Sequence, residues 1–266
     1  MFKAYWDMTY NPFSKSSGDF CFESQDYREA ISRLKFLTAN KGIGLFTGLP
    51  GQGKTFVLRS YLAGLNPSLF KMFYTPLSTI SAMDFYRGLS LGLDITPAFR
   101  KVDLFRQIQE RIVTLDKEKR VTPLIVLDEC QYLNTAILND LKIIFNFDMD
   151  SANHAVVVLA GLPPLNNTLL KQVHEPIAQR IIINYMFSGL SEEESYSYVI
   201  AGLRACGASD KIFPQASLAA LFAACGGSVR KLNALITNAL IAGAKKKLDF
   251  IDTDTIMDSL NEFSIA

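Results

Sequence analysis

One segment of the sequence has the residue types and the spacing that bind phosphate. Residues 48–55 read Gly-Leu-Pro-Gly-Gln-Gly-Lys-Thr, which fits the pattern of a glycine, four residues and then Gly-Lys-Ser/Thr. The glycines let backbone N–H groups turn toward an anion, Lys54 reaches the β- and γ-phosphates, and the Thr55 hydroxyl can bind Mg²⁺. The helix predicted to follow directs its positive end at the same anion. The predicted nucleotide contacts are Gly48, Pro50, Gly51, Gln52, Gly53, Lys54, Thr55 and Phe56.

Two acidic residues follow an apolar segment further along the chain. Residues 124–127 predict a central strand, and Asp128 and Glu129 come directly after it. Buried acids are costly unless they are solvated, paired or bound to a cation. In a phosphate-loop hydrolase the first acid helps to hold Mg²⁺, so Asp128 is a predicted metal ligand with Thr55, and Glu129 is predicted to polarise the attacking water. Solvated acids at a strand end are the simpler alternative.

A guanine-reading motif would distinguish a protein that binds GTP from one that binds ATP. We find no Asn-Lys-x-Asp sequence, the motif that reads guanine, in the 266 residues. ATP is therefore favoured over GTP, with Mg²⁺ as its companion ion. A metabolic kinase is the weaker alternative, because no phosphoacceptor site is evident.

The apolar periodicity predicts alternating strands and helices up to about residue 190 and helices only beyond it. Strands are expected at 43–47, 70–75, 124–127, 156–160 and 181–187. Helices are expected at 25–39, 54–65, 82–93, 102–117, 135–147, 191–206, 217–225, 230–247 and 254–262. Strands that alternate with helices imply a parallel sheet covered on both faces. We therefore predict an α/β domain over residues 1–189 and a small all-helical domain over residues 190–266.

Composition and charge exclude several classes of protein. Apolar residues make up 49% of the chain and the formal net charge is +1, which excludes a disordered chain and a strongly basic nucleic-acid coat. The four cysteines lack zinc-site spacing, and scattered thiols suit a reducing compartment. No segment is apolar enough to predict a membrane span or a secretory signal. We expect a soluble, cytoplasmic protein.

The order of these motifs resembles the AAA+ ATPase superfamily, and most closely its bacterial ExeA/TniB/TnsC-like branch. The resemblance covers nearly the whole chain and is specific at the phosphate loop and at the acidic pair. The superfamily match rests on Asp-Glu-Cys-Gln at 128–131 together with the phosphate loop, and weaker matches are Asn-Pro-Phe at 11–13, Ala-Gln-Arg-Ile at 178–181 and Gly-Gly-Ser-Val-Arg-Lys-Leu-Asn at 226–233. The resemblance implies an αβα sandwich followed by a helical lid.

The resemblance also implies roles for residues outside the two motifs. Arg230 matches the sensor-2 arginine, which contacts the γ-phosphate, and Arg180 matches the arginine finger, which acts on ATP held by a neighbouring subunit. Phe13, with the nearby Tyr10, is expected to approach the adenine. The chain departs from the family at sensor 1, where Leu162 is apolar and Asn166 is a weak substitute. This gap implies weak or partner-dependent hydrolysis.

Three biological roles stay open at this point. In the mobile-element role, which we expect because the chain ends at Ala266, ATP-bound subunits form a ring or filament on duplex DNA with weak sequence preference and regulate or recruit a transposase. In the second role the chain is an ExeA-like secretion-assembly ATPase, whose relatives continue into a membrane segment and a peptidoglycan-binding region. The third is a nucleotide-gated scaffold with little hydrolysis. The candidate DNA contacts are Arg87, Arg100, Lys101, Lys119 and Arg120.

Overall fold

A computed structural model describes residues 2–14, 20–76, 81–147 and 152–263. The chain forms two compact units. The first, here called the sheet unit, comprises the described parts of Glu29–Gly48 and Lys54–Phe187. The second, here called the helical unit, comprises the described parts of Met1–Arg28, Leu49–Gly53 and Ser188–Ala266.

The strands are β1 Gly42–Thr47, β2 Phe70–Pro76, β3 Thr122–Asp128, β4 Val156–Gly161 and β5 Ile181–Met186. The helices are α1 Phe2–Tyr5, α2 Gln25–Asn40, α3 Lys54–Ala63, α4 Ala82–Gly92, α5 Lys101–Val113, α6 Thr135–Ile144, α7 Pro164–Leu169, α8 Glu175–Ala178, α9 Glu192–Ala205, α10 Gln215–Cys225, α11 Val229–Lys246 and α12 Thr253–Phe263.

The five strands form one parallel sheet in the order β2-β3-β4-β1-β5. Every residue of β1 and β4 is buried, as expected for central strands that are covered on both faces. The outer strand β5 alternates between half-buried and exposed residues, and β2 is only partly buried. The predicted α/β fold with a parallel sheet is confirmed, and all five strands lie where the apolar runs placed them.

Three predicted helices of the sheet unit end more than one residue earlier than their patterns suggested: α3 ends at Ala63, α6 ends at Ile144, and α5 ends at Val113. The helix expected at 102–117 is α5, and the chain continues as a π-helical turn at Thr114–Glu118. On this turn, Asp116 accepts a 2.5 Å hydrogen bond from Lys41 Nζ and lies 2.8 Å from His154 Nδ1. Burial by itself would raise the pKa of Asp116, but the hydrogen bonds from Lys41 and His154 lower it below its usual value. This partly buried network is a tertiary feature that periodicity alone does not reveal.

The helical unit is organised by its caps and by aromatic anchors. The sequence Ser-Glu-Glu-Glu at 191–194 is typical of a capping box, and the structure confirms it, since Ser191 and Glu194 each accept from the other's backbone N–H. Gly226, with φ +55°, ends α10 in the left-handed conformation. Trp6 is buried and donates a 2.8 Å hydrogen bond from Nε1 to the Leu240 carbonyl, so the N-terminal residues belong to this core.

The division into domains stays a prediction, because a compact unit is not by itself an independently folding domain. The sheet unit ends at Phe187 and the C-terminal part of the helical unit begins at Ser188, next to the boundary expected between residues 189 and 190. The contacts that define the units group the described residues of 1–28, which the sequence places in the α/β domain, with the C-terminal helices. In the part of the chain that the structure describes, no helix has the length and apolar character that a membrane crossing requires.

Candidate functional site

The carboxyl ends of β1 and β3 bring the two sequence motifs of the sheet unit together. Ligands of open parallel sheets bind at this edge, where the strand order reverses. Lys54, at the start of α3, is 9% exposed and donates a 2.6 Å hydrogen bond from Nζ to the Gly48 carbonyl. Thr55, the next residue, places its hydroxyl 3.0 Å from Asp128 Oδ2. The predicted phosphate-binding lysine and the predicted metal ligands therefore share one end of the sheet.

Asp128 is a nearly buried acid whose partners suit a hard cation. It is 3% exposed, and its Oδ2 accepts hydrogen bonds from Thr55 Oγ1 and from Tyr74 Oη, each at 3.0 Å. Partial burial and the Asp128 carboxylate raise the pKa of Tyr74 to about 12, so the phenol keeps its proton and donates it. A carboxylate beside a threonine hydroxyl is the oxygen donor set that Mg²⁺ takes. The residues present therefore fit the ion that the sequence implies.

Glu129 projects from a backbone conformation that non-glycine residues seldom adopt. Its φ of +58° and ψ of +36° lie in the left-handed region. The Glu129 side chain is exposed, and its Oε2 accepts a 2.6 Å hydrogen bond from Gln131 Nε2. Strained geometry of this kind clusters at functional sites. The sequence patterns do not point to Tyr74, and they include Gln131 only within the Asp-Glu-Cys-Gln segment that resembles the family.

The sensor-1 region is apolar at Leu162, as the sequence showed, but it is not without polar contacts. The backbone N–H of Leu162 donates a 3.0 Å hydrogen bond to Gln131 Oε1. Asn166, on α7, donates from Nδ2 to Thr47 Oγ1 at 2.9 Å, directly before the phosphate loop. Its Oδ1 is buried and lacks a hydrogen-bond partner among the described residues. A sensor role for Asn166 stays a prediction.

The tip of the phosphate loop packs within the helical unit. Gly51 has φ +83°, and a Cβ built on it would lie 2.5 Å from Ser228 Oγ and 2.7 Å from Arg230 Cβ. Arg230 donates its backbone N–H to the Gly51 carbonyl at 3.3 Å, and its side chain is exposed. Gln52 closes the loop by accepting from the Leu49 N–H at 2.6 Å. Only glycine fits at position 51, because both the backbone angle and the space exclude a side chain.

Phe13 lies in the core of the helical unit. Its ring is 3% exposed, and its centroid is 6.0 Å from that of Tyr198. A Cβ added at Gly202 would lie 2.7 Å from the Phe13 ring, so the glycine makes room for the aromatic side chain. The expected contact of Phe13 with adenine stays a prediction.

Arg180 lies at the amino-terminal ends of the strands, whereas Lys54 lies at their carboxyl-terminal ends. Arg180 precedes Ile181, which pairs with Ile43 near the start of β1, whereas Gly48 follows the end of that strand. At a rise of about 3.3 Å per residue, Ile43 and Gly48 are roughly 16 Å apart along β1. The Arg180 guanidinium donates to the Lys142 carbonyl. The structure therefore separates Arg180 from the Lys54 of its own chain.

The predicted DNA contacts lie in the sheet unit, and several of them have acidic neighbours. These residues are Arg87, Arg100, Lys101, Lys119 and Arg120. Lys101 Nζ lies 2.7 Å from Asp140 Oδ2, and Arg100 Nε lies 2.7 Å from Asp103 Oδ2. Arg87 Nη1 lies 3.9 Å from Oδ1 of Asp84, which is three residues earlier in the chain. The carboxylates reduce the local positive field, so counting basic residues overstates the attraction of this surface for DNA. DNA contact by these residues stays a prediction.

Several known proteins are similar to this chain in sequence or in fold. General secretion pathway protein A of Aeromonas hydrophila is 28% identical over 249 residues, which are 91% of this chain and 45% of that protein. The chain thus spans less than half the length of this relative. The crystal structure of Cdc6p from Pyrobaculum aerophilum superposes on this chain with a TM-score of 0.72 at 16% sequence identity. The match covers 96% of this chain and 72% of that one. Drosophila ORC bound to DNA gives a TM-score of 0.68 at 16% identity, over 98% and 65%.

The family itself is identified by a separate match. At 16% identity, the two structural similarities show the fold alone. A family model described as an AAA domain matches residues 37–169, which is half of the chain. The matched segment contains the phosphate loop, the acidic pair and the end of β4. The chain therefore belongs to the AAA domain family, within the class of P-loop ATPases.

Proposed function

We propose that this protein hydrolyses ATP with the help of Mg²⁺. The observation that carries the proposal is the cluster at the ends of β1 and β3, where the Thr55 hydroxyl lies 3.0 Å from a nearly buried Asp128 carboxylate. Lys54 would hold the β- and γ-phosphates, and Thr55 and Asp128 would hold the ion. When bound, Mg²⁺ offsets the charge of the phosphate oxygens.

Glu129 is the candidate base of this reaction. Its carboxylate is exposed beside the buried Asp128, and one of its oxygens is held by Gln131. It would accept a hydrogen bond from water and orient that water toward the γ-phosphate. The contact of Arg230 with the γ-phosphate, which the resemblance implies, is part of the same proposal.

We also propose that the active form is a homo-oligomer. Arg180 cannot reach the Lys54 of its own chain, because the length of β1 separates them. An arginine supplied by a neighbouring subunit would stabilise the charge of the transition state and can raise the rate by orders of magnitude. The site would then be complete only where two subunits meet.

Mixing two inactive variants tests the shared site. Arg180→Ala and Glu129→Gln are each expected to lower ATP turnover at least about 100-fold. Mixed in equal amounts, they are expected to recover a substantial part of the wild-type rate, because some interfaces combine an intact Glu129 with an intact Arg180 from the neighbour. Turnover is measured by phosphate release, with Arg106→Ala, an exposed arginine on α5, as the control. A mixture no more active than its components would show that Arg180 does not act in trans.

The biological role has two candidates, each favoured by a different observation. The 28% identity over nearly the whole chain to a general secretion pathway protein favours a role in secretion assembly. The resemblance to transposition regulators favours assembly on duplex DNA, with a transposase as partner and a bacterial cytoplasm as the place of action. One of the structural relatives is described as bound to DNA, and this supports the second role only through its fold.

Binding to duplex DNA separates these candidates. For the transposition role, we expect filter binding that requires ATP or a non-hydrolysable analogue, and that weakens steeply with salt because phosphate contacts dominate the affinity. Electron microscopy should then show rings or filaments only when both DNA and the analogue are present. Assembly driven by nucleotide alone, with no DNA binding at low salt, would support the secretion role instead.

A further inference from the structure

We propose that Gln131 is a positioning residue, which holds the Glu129 carboxylate and ties it to the backbone at Leu162, just after the end of β4. This inference rests on the proposed ATP hydrolysis. It concerns a residue three positions after Asp128, on the short helical turn Cys130–Tyr132.

The Gln131 amide uses its donor and its acceptor on two different partners. Its Nε2 donates to Glu129 Oε2 at 2.6 Å, and its Oε1 accepts from the Leu162 N–H at 3.0 Å. Gln131 and Leu162 are 31 residues apart in sequence. The side chain therefore links the end of β3, which carries the candidate base Glu129, to the end of β4.

The surrounding backbone leaves room for this link. Gly161 is the last residue of β4, and a Cβ built on it would lie 2.9 Å from Gln131 Oε1. The absence of a side chain there lets the amide approach the Leu162 N–H. On the other side, Cys130 is buried and donates from Sγ to the Leu127 carbonyl at 3.1 Å, which anchors the turn that carries Gln131.

The hydrogen bond from Gln131 would restrain the side chain of the candidate base Glu129. Glu129 is exposed, and an unrestrained carboxylate would sample several rotamers, few of which present an oxygen to the attacking water. A hydrogen bond to one oxygen restrains the rotamer and leaves the second oxygen able to accept from water. Movement of the β4 end would also move the base through Gln131. Glutamine suits this position because it is a neutral side chain that both donates and accepts.

Two variants separate the halves of the link. Gln131→Ala removes both hydrogen bonds, whereas Gln131→Glu keeps an acceptor for the Leu162 N–H and removes the donor to Glu129. Hydrogen exchange of the Leu162 amide, measured without nucleotide, is expected to accelerate at least about tenfold in Gln131→Ala and to stay near the wild-type rate in Gln131→Glu. Gln172→Ala, which alters an exposed glutamine, is the control. Unchanged exchange in Gln131→Ala would overturn the tie to β4.

The rate of ATP turnover tests the hydrogen bond from Gln131 to Glu129. Both variants are expected to lower kcat about tenfold while the KM for ATP stays the same, since the base and not the binding of ATP is disturbed. In a Glu129→Gln background, Gln131→Ala is expected to have no further effect on single-turnover hydrolysis, because it acts through Glu129. An unchanged or higher kcat in Gln131→Ala, or a full tenfold effect in that background, would overturn the positioning role. A wild-type protein without turnover would instead overturn the proposed function, and the exchange of Leu162 would still report on the link.

Discussion

Replacement of Lys54 by alanine is expected to abolish nucleotide binding and ATP-driven assembly together. The Lys54 ammonium is almost buried at the start of α3 and belongs to the loop that binds the β- and γ-phosphates. A hydrogen bond to a charged group is worth about 1.5–3 kcal/mol, so the loss of the contacts to two phosphates should weaken ATP binding at least about 100-fold. The measurement is a titration with a fluorescent ATP analogue, followed by light scattering to determine the mass of the assembly.

The control for this variant must remove a lysine elsewhere in the sheet unit. Lys35→Ala alters an exposed lysine on α2 and should leave both affinity and assembly unchanged. Circular dichroism should show that Lys54→Ala retains its fold despite losing the 2.6 Å hydrogen bond to the Gly48 carbonyl. Normal ATP affinity in folded Lys54→Ala would contradict the assignment of the loop.

Glu129→Gln is expected to remove turnover and to trap the ATP-bound assembly. A general base contributes about 10²–10⁴-fold to the rate, and an amide of the same shape cannot accept the proton of the attacking water. We therefore expect kcat to fall at least about 100-fold while ATP affinity stays unchanged. Gln131 can still hydrogen-bond an amide at position 129, so the variant tests basicity more than position. Phosphate release and the lifetime of the nucleotide-bound oligomer are the measurements.

This variant also decides between a hydrolase and a nucleotide-gated scaffold. Glu118→Gln, which alters an exposed glutamate, should retain full turnover. A scaffold that scarcely hydrolyses ATP would behave the same with either substitution, and its assemblies would not last longer in Glu129→Gln. That result would leave ATP binding in place and remove hydrolysis from the proposed function.

The sequence alone is enough to predict the motifs that depend on short stretches of chain. The phosphate loop, the acidic pair and the cap of α9 each need only a few consecutive residues, so their types and spacing carry the full signal. The central strands β1, β3 and β4 could also be located, because a buried central strand needs a continuous apolar run. The short helices α7 and α8 were not predicted, since a turn or two of helix is too short to show a periodicity.

Only the tertiary structure decided which distant residues meet. Tyr74 and Asp128 are 54 residues apart, and Thr47 and Asn166 are 119 residues apart, yet each pair is joined by a hydrogen bond. Such contacts depend on the strand order, which the apolar runs do not specify. The same order places Gln131 beside the end of β4 and Arg180 at the far edge of the sheet. The residues of the candidate site are therefore local in the sequence, whereas the residues proposed to position and complete that site are brought to their places by the order in which parallel strands lie side by side.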